Sequence, residues 1–480
     1  MTASGPDLDL VLPAPQAGRL ARLPALAAHR AGRARSQAVA VVWHDTPEGA
    51  LAAAGLALAE RQIGRARGWR LSALHATPPG TRPVLEAEGA APDALGRPLP
   101  EPLLPVAACA GRLRHWPLDP AAGMAGMSVL DGRISTVGAA HPICRVRLHG
   151  VTDPALAAAF TAGLDLALAP ETLAAAALGL AGRSVPAGAP PAVAEGQSIS
   201  AALAALLARE TAVLVRLAPL AASGTGTEPV HQMRVALRRL RSALTLFRRA
   251  IDDAALQALR PELKQLAQLL GPARDWDVFA AGTGAAVATA LPEDRAIVRL
   301  LAAATRRRAE SYAALAAHLH GPAFRGLCLR LAWLAAQRPW ERPDDPAQAR
   351  PLAEFAAREL ARRRARVRAR GADLTTLPAD ALHALRIEVK RLRYACEFFA
   401  PLFPARAVRR LIRRTSAVQE RLGHINDGTV AAGLLAALGG PARGYAAGVV
   451  TGFVAAERQR AAARADRAWR RLRHAAPFWT

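Results

Sequence analysis

Cysteine is scarce in this sequence. The 480 residues include only four cysteines, Cys109, Cys144, Cys328 and Cys396, which lie far apart. None is spaced from another as in the Cys-x-x-Cys pairs that bind zinc or carry out redox chemistry. We therefore expect ordinary buried thiols, with neither disulfides nor a metal centre, and no cofactor.

Long hydrophobic runs are also missing. Two Ala/Leu-rich stretches are interrupted, one at Asp165 and Pro170 and the other at Gly440 and Arg443. Neither provides the roughly 20 apolar residues that a membrane-spanning helix needs. Met1–Leu10 is acidic and lacks the basic and apolar regions of a signal peptide. We therefore expect no membrane span and a cytoplasmic protein.

Alanine, leucine and arginine dominate what is present. Hydrophobic residues account for 52% of the chain, charged residues for 21% and aromatic residues for only 4%. Alanine, leucine and arginine are strong helix formers, so this composition favours helices. The length exceeds that of one ordinary domain and indicates two or three.

The positive charge is concentrated after residue 195. Residues 1–195 contain 17 Arg and 15 acidic residues, a net charge of +2, whereas residues 196–480 contain 44 Arg, 2 Lys and 23 acidic residues, a net charge of +23. A coding bias explains arginine in place of lysine, but it does not explain a neutral region followed by a basic one. The imbalance indicates a polyanionic partner for the C-terminal region.

A Pro/Gly/Ala-rich linker at 183–198 coincides with this change in charge. We therefore predict one domain at 1–182 and another at 199–480. The first is predicted to be α+β, with an antiparallel sheet or barrel, and to contain Ala-rich helices at 154–168 and 171–181. Its predicted strands, which show alternating hydrophobicity, are Ala38–Trp43, Trp69–Leu74, Met127–Ser135 and Ile143–Leu148.

The second domain is predicted to be helical and contains an internal repeat. The segment His231–Arg241 matches His383–Arg393, 152 residues further along the chain. The same offset relates a Leu-Gly-x-x-x-Asp motif at Leu270–Asp275 to one at Leu422–Asp427, and we interpret this motif as a turn. The shared spacing predicts a duplicated helical bundle.

Each copy of the repeated helix has a basic stripe opposite an apolar face. At 100° per residue the basic positions of the first copy fall within a stripe about 80° wide. The stripe positions are His231, Arg234, Arg238 and Arg241 in the first copy and His383, Arg386, Lys390 and Arg393 in the second. The alternative to a ligand-binding stripe is a face that is merely solvated. For each histidine, the alternative is that its neutral ring pairs with an acidic side chain or a backbone carbonyl. Like charges at this spacing disfavour a helix slightly, so we favour ligand binding.

Phosphate suits such a stripe. Guanidinium groups match two phosphate oxygens and stay charged at physiological pH, and helical spacing repeats them about every 5–6 Å. Acids near the first Leu-Gly motif, Asp275 and Asp277, are expected to orient neighbouring arginines rather than to bind metal.

The paired motifs resemble those of the conserved-histidine α-helical domain family, known as CHAD, over residues 196–480. The resemblance implies two pseudo-symmetric four-helix bundles around a basic groove that binds inorganic polyphosphate. It implies that the eight stripe residues form the ligand surface.

The N-terminal region is similar to the CYTH or triphosphate tunnel family, at His44–Pro47, Ala54–Leu58 and Pro142–Cys144. That resemblance implies a β-barrel that binds triphosphate and a divalent metal. However, the family's Glu-x-Glu-x-Lys reads Asp7–Val11 here, its later acidic pair reads Arg145-Val146-Arg147, and its late lysine is replaced by Leu173. Because Mg²⁺ needs oxygen ligands, we expect a degenerate domain with no metal and no triphosphatase activity.

We therefore predict non-catalytic binding of inorganic polyphosphate, with association with polyphosphate or polyhydroxyalkanoate granules as a further expectation. An active triphosphatase or polyphosphatase is one alternative. General polyanion or nucleic-acid binding is another, although the basic region has few aromatic residues for base stacking and no nucleic-acid reader motif.

Overall fold

The computed structural model describes residues 5–185, 193–342, 344–371, 374, 377–439 and 444–479. Within these ranges the side chains of residues 25, 161, 379, 424–429 and 457–464 are left undescribed. The predicted linker at 183–198 therefore lies partly outside the described residues. So does the side chain of Asp427 in the second Leu-Gly motif.

The N-terminal region folds around one antiparallel sheet of nine strands, in the order β5-β4-β3-β2-β6-β7-β8-β1-β9. Among the described residues β5 and β9 form its two edges, so backbone pairing does not close the sheet into a full barrel. The strands are β1 Leu8–Val11, β2 Arg35–Asp45, β3 Leu56–Ile63, β4 Ala66–Ala73, β5 Leu85–Gly89, β6 Leu104–Pro117, β7 Gly126–Thr136, β8 Ala139–His149 and β9 Ala167–Leu168.

Four short helices accompany this sheet, α1 Pro24–His29, α2 Ala50–Ala53, α3 Pro154–Ala162 and α4 Leu173–Leu180. Helix α4 begins at Thr172, whose hydroxyl accepts a hydrogen bond from the Ala175 amide, as N-cap residues do. Leu178 of α4 then joins Val41 and Trp43 of β2 in one buried cluster. The helix therefore occupies the concave side of the sheet.

The predicted strands are confirmed, since they lie within β2, β4, β7 and β8. The predicted helix at 154–168 is too long: α3 ends at Ala162, and Ala167–Leu168 pairs with β1 as strand β9. Gly163 interrupts the alanine-rich run there, because glycine favours helices far less than alanine does.

The C-terminal region is helical throughout its described residues, apart from its connections. Its helices are α5 Ile199–Ala222, α6 Glu228–Phe247, α7 Ala254–Phe279, α8 Ala285–Ala290, α9 Arg295–His320, α10 Pro322–Gln337, α11 Leu352–Arg370, α12 Ala379–Phe398, α13 Ala405–Leu438 and α14 Tyr445–Arg473. The chain is thus a two-domain α+β protein.

The duplication extends to four helices per copy. Adding the offset of 152 residues to the bounds of α5, α6, α7 and α9 gives 351–374, 380–399, 406–431 and 447–472. These ranges coincide, within a few residues except at the C-terminal ends of the first and third, with α11, α12, α13 and α14. The fold therefore contains two successive sets of four equivalent helices.

The predicted core faces of the repeated helices are confirmed. The ten apolar residues opposite the two basic stripes are buried, each with at most 4% of its surface exposed: Met233, Leu237, Leu240, Leu244 and Phe247 on α6, and Leu385, Val389, Leu392, Cys396 and Phe399 at α12. Such a wide apolar stripe fixes the rotation of each helix and directs the opposite stripe away from the core.

The prediction of a turn at the Leu-Gly motif is wrong. Leu270–Asp275 lies inside α7, and Leu422–Asp427 lies inside α13. Leu270 and Leu422 are buried, at 0% and 2% exposure. The tertiary contacts of these leucines outweigh the low helix propensity of the following glycine.

By its internal contacts the chain divides into two compact units. The first comprises Met1–Pro191, Leu207–Arg216 and His318–Pro339, and the second comprises the remaining residues. The boundaries at 182 and 199 stay predictions. No helix in the described part of the chain is both long and apolar enough to span a membrane.

Candidate functional site

The basic stripes of α6 and α12 meet around Lys390. Burial of its side chain lowers the pKa of Lys390 to about 7, and the charges of Arg386, Arg238, Arg234 and Arg393 act in the same direction. Five of the eight predicted site residues therefore lie close enough to interact electrostatically. Like charges gathered in this way destabilise one another unless an anion joins them.

A cavity of about 620 Å³ opens beside this cluster. It is bounded by α6, α7, α11 and α12, and half of its fourteen lining residues are cationic. No carboxylate is among the described residues that line it. The cations are Arg238, Arg241, Arg260, Lys264, Arg363, Lys390 and Arg391.

Three buried polar groups that line this cavity have no hydrogen-bond partner among the described residues. They are Nε of Arg238, Nε of Arg363 and the hydroxyl of Tyr394. A buried donor without an acceptor costs about 1–3 kcal/mol. Phosphate oxygens are strong acceptors, so a phosphate ligand in the cavity is suited to relieve that cost.

Asp275 lies beside Arg234, with 3.6 Å between its Oδ1 and Nη2 of Arg234. Burial raises the pKa of Asp275, while the charges of Arg234 and Arg274 lower it. The carboxylate is only partly buried, with 35% of its side chain exposed. It therefore orients Arg234 without removing it from reach of a ligand.

Asp277 forms a second arrangement, in which its own carboxylate is fully buried. Its Oδ1 accepts a hydrogen bond of 2.7 Å from Nε of Arg308, and its Oδ2 accepts one of 2.8 Å from the hydroxyl of Tyr312. The guanidinium of Arg308 also lies 4.5 Å from the centre of the Tyr312 ring. Both acids thus orient arginines, as the sequence predicts.

Arg393 is held by two side-chain hydrogen bonds. It donates to Glu397 at 2.8 Å and to Gln419 at 2.9 Å. Glu397 also accepts a hydrogen bond of 2.6 Å from Arg239 on α6. Because Glu397 accepts from both helices, it links α6 to α12. Arg393 therefore contributes to the contact between the two repeats as well as to the positive charge around Lys390.

The remaining stripe residues differ in their surroundings. Burial, followed by the charge of Arg274, lowers the pKa of His231, and Arg238 and Arg234 act in the same direction. Arg241 is exposed and lines the cavity. His383 is exposed on α12. The assignment of all eight residues to a ligand surface stays a prediction.

Sequence reasoning missed the contribution of α11. The eight predicted stripe residues do not include Arg363 of this helix, which is only 4% exposed and lines the cavity. Burial lowers its pKa to about 10. The signal was its spacing, because Arg363 follows the buried Glu359 and Leu360 and precedes the buried Val367 on one helical face.

The N-terminal sheet does not fit a divalent metal. Nε of Arg147 donates to Oδ1 of Asp9 at 2.5 Å, and its Nη2 donates to Oδ2 at 2.8 Å. Both carboxylate oxygens are thus engaged by a cation. No group of three or more His, Cys, Asp or Glu side chains in the described part of the chain is arranged to hold a metal ion.

The chain belongs to the CHAD domain family, whose model matches residues 197–436. It is similar to the crystal structure of the CHAD domain from the plant Ricinus communis, with 30% identity and a TM-score of 0.52, covering 60% of this chain and 96% of that one. The helical fold of the C-terminal region is therefore shared with the plant domain.

Two further solved structures match more remotely. PptA from Streptomyces chartreusis is 19% identical, with a TM-score of 0.44, and the match covers 57% of this chain and all of that one. HpAC1 from Hippeastrum, described as having a dominant triphosphatase activity, is 14% identical, with a TM-score of 0.27 and coverage of 38% and 98%. The comparison with curated proteins gives no match.

Proposed function

We propose that the C-terminal helical region binds inorganic polyphosphate without catalysis, through the basic stripes of α6 and α12 and the cavity beside them. The proposal rests on the cavity, which is lined by seven cations and by three buried polar groups that have no hydrogen-bond partner among the described residues. A chain of phosphates supplies a negative charge and several acceptor oxygens at each repeat, which is what these groups need.

Polyphosphate suits this surface better than a nucleic acid does. Tyr394 is the one aromatic residue among those that line the cavity, and it is 2% exposed. The described lining therefore offers no exposed aromatic ring for base stacking. Membership in the CHAD domain family supports the proposal. Association with granules stays a prediction, since no feature of the described residues bears on it.

Binding isotherms against polyphosphates of defined length test the proposal. We expect affinity to rise with chain length and to fall steeply as salt concentration rises, because each guanidinium that meets a phosphate releases a counterion. Duplex DNA at equal phosphate concentration and moderate salt should compete poorly. Displacement by DNA as effective as by unlabelled polyphosphate would refute the assignment.

A charge-matched pair of variants tests the location of the site. Replacing Arg234, Arg238, Arg386 and Lys390 with alanine should reduce affinity at least about 100-fold, since the four lost contacts each contribute roughly 1 kcal/mol. The control removes the same number of charges from exposed positions on α13, at Arg406, Arg409, Arg410 and Arg413. Equal losses in the two variants would indicate binding by net charge alone.

A further inference from the structure

A hydrogen-bonded chain crosses the N-terminal sheet at residues that are far apart in sequence. In the antiparallel register Ser128 on β7 pairs with His115 on β6 and with Arg147 on β8. Directly paired residues direct their side chains to the same face of a sheet. Position 149 lies two residues beyond Arg147 on the same strand, so His149 shares that face.

The distances form a continuous chain. Oδ2 of Asp7 lies 3.2 Å from Nδ1 of His149, and Nε2 of His149 lies 2.7 Å from Oγ of Ser128. On its other side Oγ of Ser128 lies 3.0 Å from Nδ1 of His115. An acid, a histidine and a serine are thus joined through the two different nitrogens of one imidazole, as in serine hydrolases.

The protonation states of Asp7 and His149 determine which atom donates and which accepts in each of these hydrogen bonds. Burial alone would raise the pKa of Asp7, but hydrogen bonds from His149 and the Gly150 amide, with the charge of Arg82, lower it to about 2. A carboxylate only accepts hydrogen bonds, so Nδ1 of His149 carries a proton and donates it. Nε2 of a neutral His149 is then free to accept from the hydroxyl of Ser128.

His115 supports the same direction. Burial, followed by the charges of His149 and Arg35, lowers the pKa of His115, so its ring is neutral near pH 7. Its Nδ1 can donate to Oγ of Ser128 while the Ser128 hydroxyl donates to His149. Every donor in the chain then has one acceptor, and the serine oxygen is oriented by two rings.

Ser128 and His149 also line a cavity of about 330 Å³ on the concave side of the sheet. The wall contributes arginines, among them Arg61, Arg70 and Arg145, beside apolar side chains such as Val41 and Trp43. Burial and then the charges of Arg70, Arg147 and Arg82 lower the pKa of Arg61, and they outweigh the opposing charge of Glu88. The cavity therefore suits an organic molecule that carries a negative group.

We infer that Ser128 is a nucleophile activated by His149, with Asp7 as a positioning residue, and that the cavity accepts a carboxylic ester bearing an anionic group. This chemistry needs no metal, so it is independent of metal-dependent triphosphatase chemistry. It is also independent of polyphosphate binding by the C-terminal region.

The reaction divides into two balanced steps. In the first, Oγ of Ser128 forms a bond to the ester carbonyl carbon, its proton passes to Nε2 of His149, and His149 returns that proton to the departing alcohol as the carbon–oxygen bond breaks. In the second, a water molecule attacks the acyl carbon and its proton passes to Nε2 of His149. His149 returns that proton to Oγ of Ser128 as the bond between the acyl carbon and Oγ breaks, which releases the carboxylic acid and restores Ser128.

Covalent labelling of the full chain with a fluorophosphonate, followed by peptide mass spectrometry, tests the nucleophile. We expect label on Ser128, and a loss of at least about 100-fold in labelling rate in His149→Gln, since an unactivated serine reacts slowly. Ser72 is the matched control, because it is a second serine that lines the same cavity. Equal label on Ser72 and Ser128, or none on Ser128 in the folded protein, would overturn the inference.

Hydrolysis of mono-4-nitrophenyl glutarate, compared with the neutral 4-nitrophenyl acetate, tests the substrate class. We expect Ser128→Ala to abolish turnover and the anionic ester to show a kcat/KM at least roughly 10-fold higher. Ser135→Ala, at an exposed position of β7 that does not line the cavity, should leave turnover unchanged. Asp7→Asn should lower kcat more than it changes KM, because Asp7 contacts His149 directly and fixes the orientation of its ring. Turnover retained in Ser128→Ala, with circular dichroism unchanged, would show that the hydrogen bonds among Asp7, His149 and Ser128 have only a structural role.

Discussion

Gly271 on α7 lies directly against the guanidinium of Arg234 on α6. A β-carbon added at position 271 would be 3.4 Å from Nη1 of Arg234. The second copy repeats this relationship, since a β-carbon at Gly423 would be 3.5 Å from Nη2 of Arg386. In each copy the glycine has no side chain, so the guanidinium of the arginine packs directly against the helix. This contact explains why the basic-stripe motif and the Leu-Gly motif recur together.

A large side chain at position 271 should displace Arg234. We expect Gly271→Leu to weaken polyphosphate binding several-fold while leaving the free energy of unfolding unchanged or slightly higher, because leucine favours helices by nearly 1 kcal/mol over glycine. Gly433→Leu on α13 is the control, since a β-carbon there has no described atom within 4 Å apart from those of its own helix backbone. Titration calorimetry and thermal unfolding of both variants separate displacement from destabilisation. Unchanged affinity in Gly271→Leu would contradict the positioning role.

Lys390 should take up a proton when polyphosphate binds. With a pKa of about 7 it is largely neutral at pH 8 in the free protein, and an adjacent phosphate favours its charged form. Calorimetry at pH 8 in buffers of different ionisation enthalpy should show uptake of a large fraction of one proton. The uptake should fall by that amount in Lys390→Arg, which is charged in both states. Equal uptake by the two proteins would mean that phosphate does not reach Lys390.

The same lysine should make folding depend on pH. Its folded pKa of about 7 lies below the ordinary value of 10.5, so the unfolded chain binds more protons between these two values. Its unfavourable contribution is fully present below pH 7 and disappears as the pH rises towards 10. We expect Lys390→Met to raise the free energy of unfolding at pH 7 by about 1–2 kcal/mol and to change it little at pH 10. Denaturant unfolding at both pH values measures this, and an equal effect at the two would argue against a strained charge.

The two acids that follow Gly271 should separate binding from stability. Asp277→Ala leaves Arg308 and Tyr312 without their buried acceptor and should lower the free energy of unfolding by about 2–4 kcal/mol. Asp275→Ala removes a partly exposed carboxylate beside Arg234 and should instead raise polyphosphate affinity with little effect on stability. The reverse pattern in chemical denaturation and binding assays would show that these roles are exchanged.

The sequence predicts the parts of this protein that depend on local periodicity. The stripes and core faces of α6 and α12 follow from helical spacing, and four strands follow from alternation. The long strand β6 was not predicted, because its Ala-Ala-Cys-Ala-Gly run lacks the large β-branched residues that identify a strand. The chain from Asp7 to His149 and Ser128 could not be predicted either, since only the sheet register brings these positions together.

The cavity also reaches beyond what the stripes predict. Arg260 and Lys264 come from α7, and Arg363 comes from α11, so two further helices add cations to a site that the repeat assigned to α6 and α12. Their contribution depends on how the helices pack. Helical phase within one segment carries no information about that packing.

Both lysines of the chain, Lys264 and Lys390, line this one cavity, whereas every other basic side chain, histidine aside, is an arginine. Apart from the terminal amine, all primary amines of the protein therefore lie in the lining of this cavity. Reagents selective for amines will modify this cavity and spare the rest of the basic surface. A ligand that occupies the cavity should protect Lys264 and Lys390 from acylation. The extent of acylation of these two side chains therefore reports on occupancy of the cavity.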